Sequence, residues 1–242
     1  MKKIIVSFVL VLVLIGTYST SYAQHRMDWS GPWGIGFGLG TASYVGDLNE
    51  PNGNQFLIMS QSLGFAGHGF FSKGFGPITA MLQMNLGRLQ SQDYVKDQKF
   101  KNSFYEYLGI IRLNVNHIIK GSRYRRDKWN AYVQGGFGMM RFSSYLTHMD
   151  EELINDHGYA GIGKATAMLA GAGISYFVTQ EASFHLGADY HIFSGDGGDL
   201  VDAKAGGSSN DHYIYIHMGL SFDFGGTSRR RGGRRSLLWG KF

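Results

Sequence analysis

From Trp33 the chain alternates strictly, with Trp33, Ile35, Phe37 and Leu39 on one parity and Gly34, Gly36, Gly38 and Gly40 on the other. A period of two is the signature of a β-strand with one apolar face. Glycine at every second place would empty the core of a soluble sandwich, but it suits a strand whose second face lines a crowded, narrow barrel. The alternation recurs. Leu63, Phe65 and Phe71 alternate around Gly64, Ala66 and His68, and a Gly/Pro turn over Lys73 to Pro77 leads to Ala80, Leu82, Met84 and Leu86, set against Gln83, Asn85 and Gly87. Tyr105, Tyr107, Ile111, Leu113 and Val115 then oppose Glu106, Arg112 and Asn114, the sharpest contrast of faces in the chain. This places Leu113 toward lipid, near the bilayer midplane.

Trp129, Ala131, Val133, Phe137 and Met139 oppose Asn130, Gln134 and Gly138 in a fifth strand. A sixth, about Ala165 to Val178, has its faces blurred by Ala and Gly. Phe184, Leu186, Ala188, Tyr190 and Ile192 alternate with His185, Gly187, Asp189 and His191 in the seventh. The last sets Ile214, Ile216, Met218, Leu220, Phe222 and Phe224 against Tyr213, Tyr215, His217, Gly219, Ser221 and Asp223. Segments of about 12 to 14 residues exceed the usual globular strand and match a tilted membrane strand with some overhang.

Connections expected near Val45 to Ile58, Gln90 to Asn102, Phe142 to Gly163 and Ser194 to Asp211 are long. Those after strands two and six are tight, and the one near His117 to Lys128 is intermediate. Bacterial outer-membrane barrels alternate in this way, with short turns in the periplasm and long loops outside, and an even strand number brings both termini to one side. The expected fold is therefore all-β, a transmembrane antiparallel up-and-down barrel of about eight strands in the bacterial cell outer membrane, with both mature termini in the periplasm. Trp33, Tyr44, Tyr105, Tyr107, Trp129, Tyr190, Phe222 and Phe224 fall near strand ends, where an interfacial aromatic girdle is expected. The competing fold, a soluble secreted sandwich, would need a partner surface to cover these apolar faces. Phe222, Asp223 and Phe224 resemble the aromatic-ended assembly signal of such barrels, although eighteen residues follow them.

Composition adds an export signal. Lys2 and Lys3 precede an apolar run from Ile4 to Ile15, and Ser21, Tyr22 and Ala23 offer a small-x-small cleavage site. Three regions follow: a signal peptide over 1–23, a barrel over 24–226 and a basic periplasmic tail over 227–242. The chain has no cysteine, so no disulfide stabilises it. Its formal charge of +5 is a property of the ends, since two lysines leave with the signal and six basic residues crowd the last fourteen positions. The remaining body carries more acid than base, which argues against nucleic acid as a partner.

An eight-stranded barrel is just wide enough for side chains to fill it, so a general porin is not expected. The inward set comprises His68, Gln83, Asn85, Glu106, Arg112, Asn114, Gln134, His185, Asp189, His191, His217 and Asp223. His185, Asp189 and His191 on one strand face invite a catalytic or metal reading, but same-face spacing is satisfied equally by a packed polar interior, and the latter is the expectation. No residue is assigned to catalysis, a cofactor or a metal. Gly36 and Gly38 lie within a strand rather than turning into a helix, so they are not a dinucleotide fingerprint. Asp196, Gly197, Gly198 and Asp199 lack the later glutamate of a calcium loop. Asp150 to Asn155 could form a short helical turn.

Ser43, Tyr44, Val45, Gly46, Asp47, Leu48 and Asn49 resemble a motif of small outer-membrane barrels from bacteria with the type IX secretion system, the PorG-like family. The resemblance implies a barrel without catalytic residues that binds a periplasmic secretion-ring lipoprotein and secures the ring to the outer membrane. Read from the residues alone, Gly46 permits a tight turn while Asp47 and Asn49 bond to local backbone.

In the tail, Arg229, Arg230, Arg231, Arg234 and Arg235 surround Gly232 and Gly233, and Leu237, Leu238, Trp239 and Phe242 add apolar anchors. Such a segment is either a solvated basic end or one that orders on an acidic envelope partner or on the lipid surface, with the five arginines, Trp239 and Phe242 as candidate docking residues. Three functions follow from these readings: a scaffold or partner-binding barrel, an outer-membrane enzyme acting on lipid or surface substrates, and a surface adhesin working through the long loops.

Overall fold

The computed structural model describes residues 31–45, 63–93, 98–121, 128–148, 161–179, 181–194 and 212–225. The segments assigned to the signal peptide and the tail, and Gly46 to Asn49 of the motif, lie outside them. Eight antiparallel strands run β1 Trp33–Val45, β2 Leu63–Phe75, β3 Ile78–Asp93, β4 Gln98–Asn114, β5 Trp129–His148, β6 Gly161–Phe177, β7 Ala182–Ser194 and β8 His212–Phe224. Each pairs with its neighbours in sequence, and β1 pairs with β8 from Trp33 opposite Phe224 to Val45 opposite His212, closing the sheet. Closure satisfies the strand edges that an open sheet would leave bare, as the hydrocarbon of a membrane demands.

The expected parities hold around the cylinder. Ile35, Phe37, Leu39, Phe65, Leu82, Phe137, Met139 and Met218 all project outward and are exposed, Leu82 to 69% and Phe137 to 73%. A continuous apolar exterior on a closed barrel is a lipid-facing surface, not the half-covered face of a sandwich. At the end bearing the chain termini, Trp33 stacks on Phe71 with centroids 5.1 Å apart and Trp129 packs on Tyr176 at 4.7 Å. Lys73 lies 4.5 Å over the Trp33 ring. These belong to an interfacial girdle.

Turn chemistry fixes the register at this end. Gly76, at φ +61°, and Pro77 join Phe75 to its partner Ile78, a two-residue hairpin that needs a residue tolerant of positive φ at its first position. Between β6 and β7 the Thr179 hydroxyl accepts from the backbone N–H of Ala182 at 2.9 Å.

Several expectations need correction. Val115 does not extend the fourth strand but opens a short helix, α1, over Val115–Lys120, which is held by Asn116 donating through Nδ2 to the Trp129 carbonyl at 2.9 Å. The connection expected at Gln90 to Asn102 is largely strand, since β3 runs to Asp93 and β4 starts at Gln98, and the one expected at Phe142 to Gly163 is strand at both ends, since β5 reaches His148 and β6 starts at Gly161. β3 to β6 span 16, 17, 20 and 17 residues, against 13 in each of the other four strands. A wall of four strands thus rises past the apolar band at the end opposite the termini. Its outward positions Arg88, Lys101, Arg141 and Lys164 are too polar for hydrocarbon, so they mark where the band stops. Leu113 is not at the midplane, because it pairs with Ile78 at the terminal end of β3. Tyr44 is not in the girdle: it is fully buried on the inward parity.

Candidate functional site

The interior is built by pairing rings with glycines. Directly across the ladder, Phe70 faces Gly36, His68 faces Gly38, Phe104 faces Gly87, Tyr132 faces Gly173, Phe142 faces Gly163 and His185 faces Gly219. Each ring lies over the bare backbone of its partner. A Cβ on Gly219 would stand 2.5 Å from His185 Nε2, and one on Gly36 would run into the Phe70 ring. The alternating glycines of β1 therefore do not leave the lumen empty; they admit rings from the neighbouring strands.

One consequence is a histidine cluster. His68, Gly38, Gly219 and His185 form a single register row across β2, β1, β8 and β7, so two rings reach toward each other over two glycines. Their Nε2 atoms come within 3.3 Å. In the adjacent row His217 lies between Gly40 and Gly187. One nitrogen from each of His68, His185 and His217 falls within 4.8 Å of one from each of the others, and all three residues are buried. His68 Nδ1 is 2.9 Å from the Tyr215 hydroxyl, and His217 Nε2 is 3.1 Å from Asp189 Oδ2.

Asp189 links this cluster to a cation. Gln134 donates through Nε2 to Asp189 Oδ1 at 2.7 Å and accepts from Arg112 Nε at 2.9 Å. The Arg112 guanidinium sits 4.0 Å from the Tyr132 ring centroid. The second buried carboxylate, Glu106, accepts from Asn85 Nδ2 at 2.6 Å and the Tyr213 hydroxyl at 2.8 Å, with His191 Nδ1 at 2.9 Å. Gln83 in turn donates to Asn85 at 2.8 Å. Multiple donors offset the large cost of removing each carboxylate from water.

The twelve residues expected inside are all on the inward parity, but His185, Asp189 and His191 do not form one site. His185 turns to His68, Asp189 to Gln134 and His217, and His191 to Glu106. The tyrosines that complete these networks, Tyr132, Tyr213 and Tyr215, were absent from the expected inward set. The only signal for them was their strand parity. Below the networks, at the end bearing the termini, a cavity of about 280 Å³ is lined by Pro32, Ser72, Arg112, Asn130 and Asp223 among others. Tyr44 is the sole family-motif residue within the described site candidates. The arginines 229, 230, 231, 234 and 235, with Trp239 and Phe242, lie outside the described residues.

No protein-family model and no curated sequence matches the chain. Among solved structures it is similar to Neisserial surface protein A, at a TM-score of 0.53 and 12% identity over 79% of this chain and 97% of that one. Ail, the attachment invasion locus protein of Yersinia pestis, aligns at a TM-score of 0.44 and 11% identity over 81% and 99%. The outer-membrane protein OprG of Pseudomonas aeruginosa aligns at 0.42 and 13% over 81% and 96%. The likeness to the neisserial protein spans nearly its whole length and agrees with the strand order, closure and apolar exterior: the chain has the fold of a small eight-stranded bacterial outer-membrane β-barrel.

Proposed function

We propose that this chain is a non-enzymatic outer-membrane barrel that holds a protein partner at the envelope, acting as a scaffold component of the type IX secretion machinery. The observation that carries the reading is the filled lumen. Rings over glycines and bonded carboxylates occupy the cross-section, so docking of a protein partner is left to the two ends and the lipid-facing wall. The Ser43 to Asn49 motif supports a secretion role through its family resemblance. The cavity beside Arg112 and Asp223 opens at the end where the tail begins. In this reading both mature termini are periplasmic, and the partner is a periplasmic secretion-ring lipoprotein gripped by Arg229, Arg230, Arg231, Arg234 and Arg235 with Trp239 and Phe242 as anchors.

The test is a tagged pull-down from solubilised outer membranes, comparing the full chain with one lacking residues 227–242. Both should insert equally, and only the full chain should recover a periplasmic lipoprotein. Recovery of the same partners at the same salt concentration by both would remove the docking role. Because the chain has no cysteine, Ser236→Cys gives a single reporter of sidedness. An impermeant maleimide should label it only after the outer membrane is opened, and labelling of intact cells would reverse the orientation.

A further inference from the structure

The cluster of His68, His185 and His217 contains more ligating nitrogen than its hydrogen bonds use. His217 Nδ1 is buried without a hydrogen-bond partner, while its Nε2 faces Asp189. The close Nε2 pair of His68 and His185 can share only one proton, as a single N–H donating to the other ring. Nothing in that bond explains the third imidazole drawn in beside it. We propose that these three histidines form a binding site for a divalent transition metal of the zinc class inside the barrel.

Four features point to that ligand. The first is spacing: a tetrahedral ion with metal–nitrogen bonds of about 2.0 to 2.1 Å holds its ligand nitrogens about 3.3 to 3.4 Å apart. His68 Nε2 and His185 Nε2 are already 3.3 Å apart. The second is the fan of the rings. Their centroids are 4.7, 5.5 and 5.8 Å apart with interplanar angles of 81°, 45° and 62°, so the rings are tilted rather than stacked, and one nitrogen of each lies within 4.8 Å of the others.

The third is outer support. The other nitrogen of His68 meets the Tyr215 hydroxyl, and His217 meets the Asp189 carboxylate, the kinds of partner that fix the tautomer and orientation of metal-bound imidazoles. The fourth is charge. Inward positions of the described strands carry Glu106, Asp189 and Asp223 against Arg112, so with neutral imidazoles the lumen holds excess negative charge that a dication offsets. An all-imidazole set without thiolate suits zinc, nickel or copper and disfavours calcium or magnesium, which take oxygen.

The register shows what such an ion would do. His68 lies on β2, and His185 and His217 lie on β7 and β8, so the ion would bridge across β1 and the β1–β8 seam where the barrel closes. In a chain without cysteine it would be a staple between the first and last hairpins, coupling metal binding to folding.

The test uses Co²⁺ as the probe. The protein is stripped with chelator while unfolded and refolded in detergent with Co²⁺ present, so that burial of the site is no barrier to entry. One bound Co²⁺ per barrel is expected, with visible bands of tetrahedral intensity that Zn²⁺ abolishes by displacement. His68→Gln, His185→Gln and His217→Gln should each lose the bound ion, while His212→Gln, on the outward parity of β8, should keep it. Heat-modifiable gel mobility checks that each variant is folded. X-ray absorption of the wild-type Co²⁺ form should count three imidazoles, which keeps the test decisive where a variant fails to close. The proposal is overturned if no stoichiometric ion is retained, if the folded variants keep the same spectrum, or if the imidazole count is below three.

Discussion

Replacing Leu82 by arginine tests the placement of the barrel in lipid. Leu82 lies on β3 between Ile78, at the terminal end of the strand, and Arg88, where the apolar exterior stops. With a rise of about 3.3 Å per residue and a tilt of about 40°, each residue gains roughly 2.6 Å of height. Leu82 is then roughly 10 Å above Ile78 and 15 Å below Arg88, too deep for an arginine head to reach either interface with ease. A lipid-facing arginine near the midplane costs about 2 to 4 kcal/mol, and one near an interface about 0 to 1. Leu113, paired with Ile78, supplies the interfacial comparison. Converted to folding equilibria, Leu82→Arg should lose roughly 30- to 700-fold and Leu113→Arg less than about 5-fold. The assay is denaturant titration in lipid vesicles, with the folded fraction read from unboiled gel mobility. A loss for Leu82→Arg no greater than for Leu113→Arg would refute the band assigned here.

Three further outcomes follow from closure and filling. The detergent-solubilised protein should migrate differently before and after boiling, because no strand pair can open alone in a closed barrel; identical mobility would contradict closure. Glu106→Ala should lower the denaturant midpoint by removing the acceptor shared by Asn85 and Tyr213, at about 1 to 3 kcal/mol for each buried donor left unpaired; an unchanged midpoint would mean that these bonds do not stabilise the fold. In planar bilayers the protein should give no steady ohmic conductance, and a reproducible open channel would show that the rings do not block the lumen.

The eight strands were legible because lipid imposes an apolar residue at every second position. That constraint ends where the lipid ends. Along the tops of β3 to β6 the outward face turns polar, as at Arg88, Gln90, Lys101, Ser103 and Ser143, while Leu89, Phe104 and Phe142 point inward, so the outward apolar alternation ends while the ladder continues. Strand extensions there read as loop. Val115 continues the apolar alternation in sequence, yet Asn116 on the next position bonds the adjoining backbone and favours the helical turn. Tyr44 was misplaced for another reason, its position near a strand end. An aromatic with a hydroxyl suits an interface, but it suits a polar lumen equally, as Tyr213 and Tyr215, already on the inward parity, show by meeting Glu106 and His68. The sequence told which histidines point inward; it could not tell that His68 and His185 share a row, because that depends on the register of three successive strand pairings.

Pairing of rings with glycines also makes the lumen a register lock, and Phe142 with Gly163 isolates the effect. The two are direct partners on β5 and β6, and the three atoms nearest a Cβ on Gly163 all belong to the Phe142 ring, two of them at 2.5 and 2.9 Å. Adding a phenylalanine at 163 while keeping Phe142 forces two rings into one space. Removing the ring by Phe142→Gly leaves a void in a buried position, and large-to-small core changes of this kind cost about 3 to 5 kcal/mol. The exchange Phe142→Gly with Gly163→Phe restores one ring and one bare backbone at the same level, so the double variant should be more stable than either single one. Directly paired sites that share a volume couple by about 0.5 to 3 kcal/mol, which a double-mutant cycle on denaturant midpoints resolves. If the two single losses simply add, the ring does not depend on the glycine opposite it, and the alternating glycines need a different explanation.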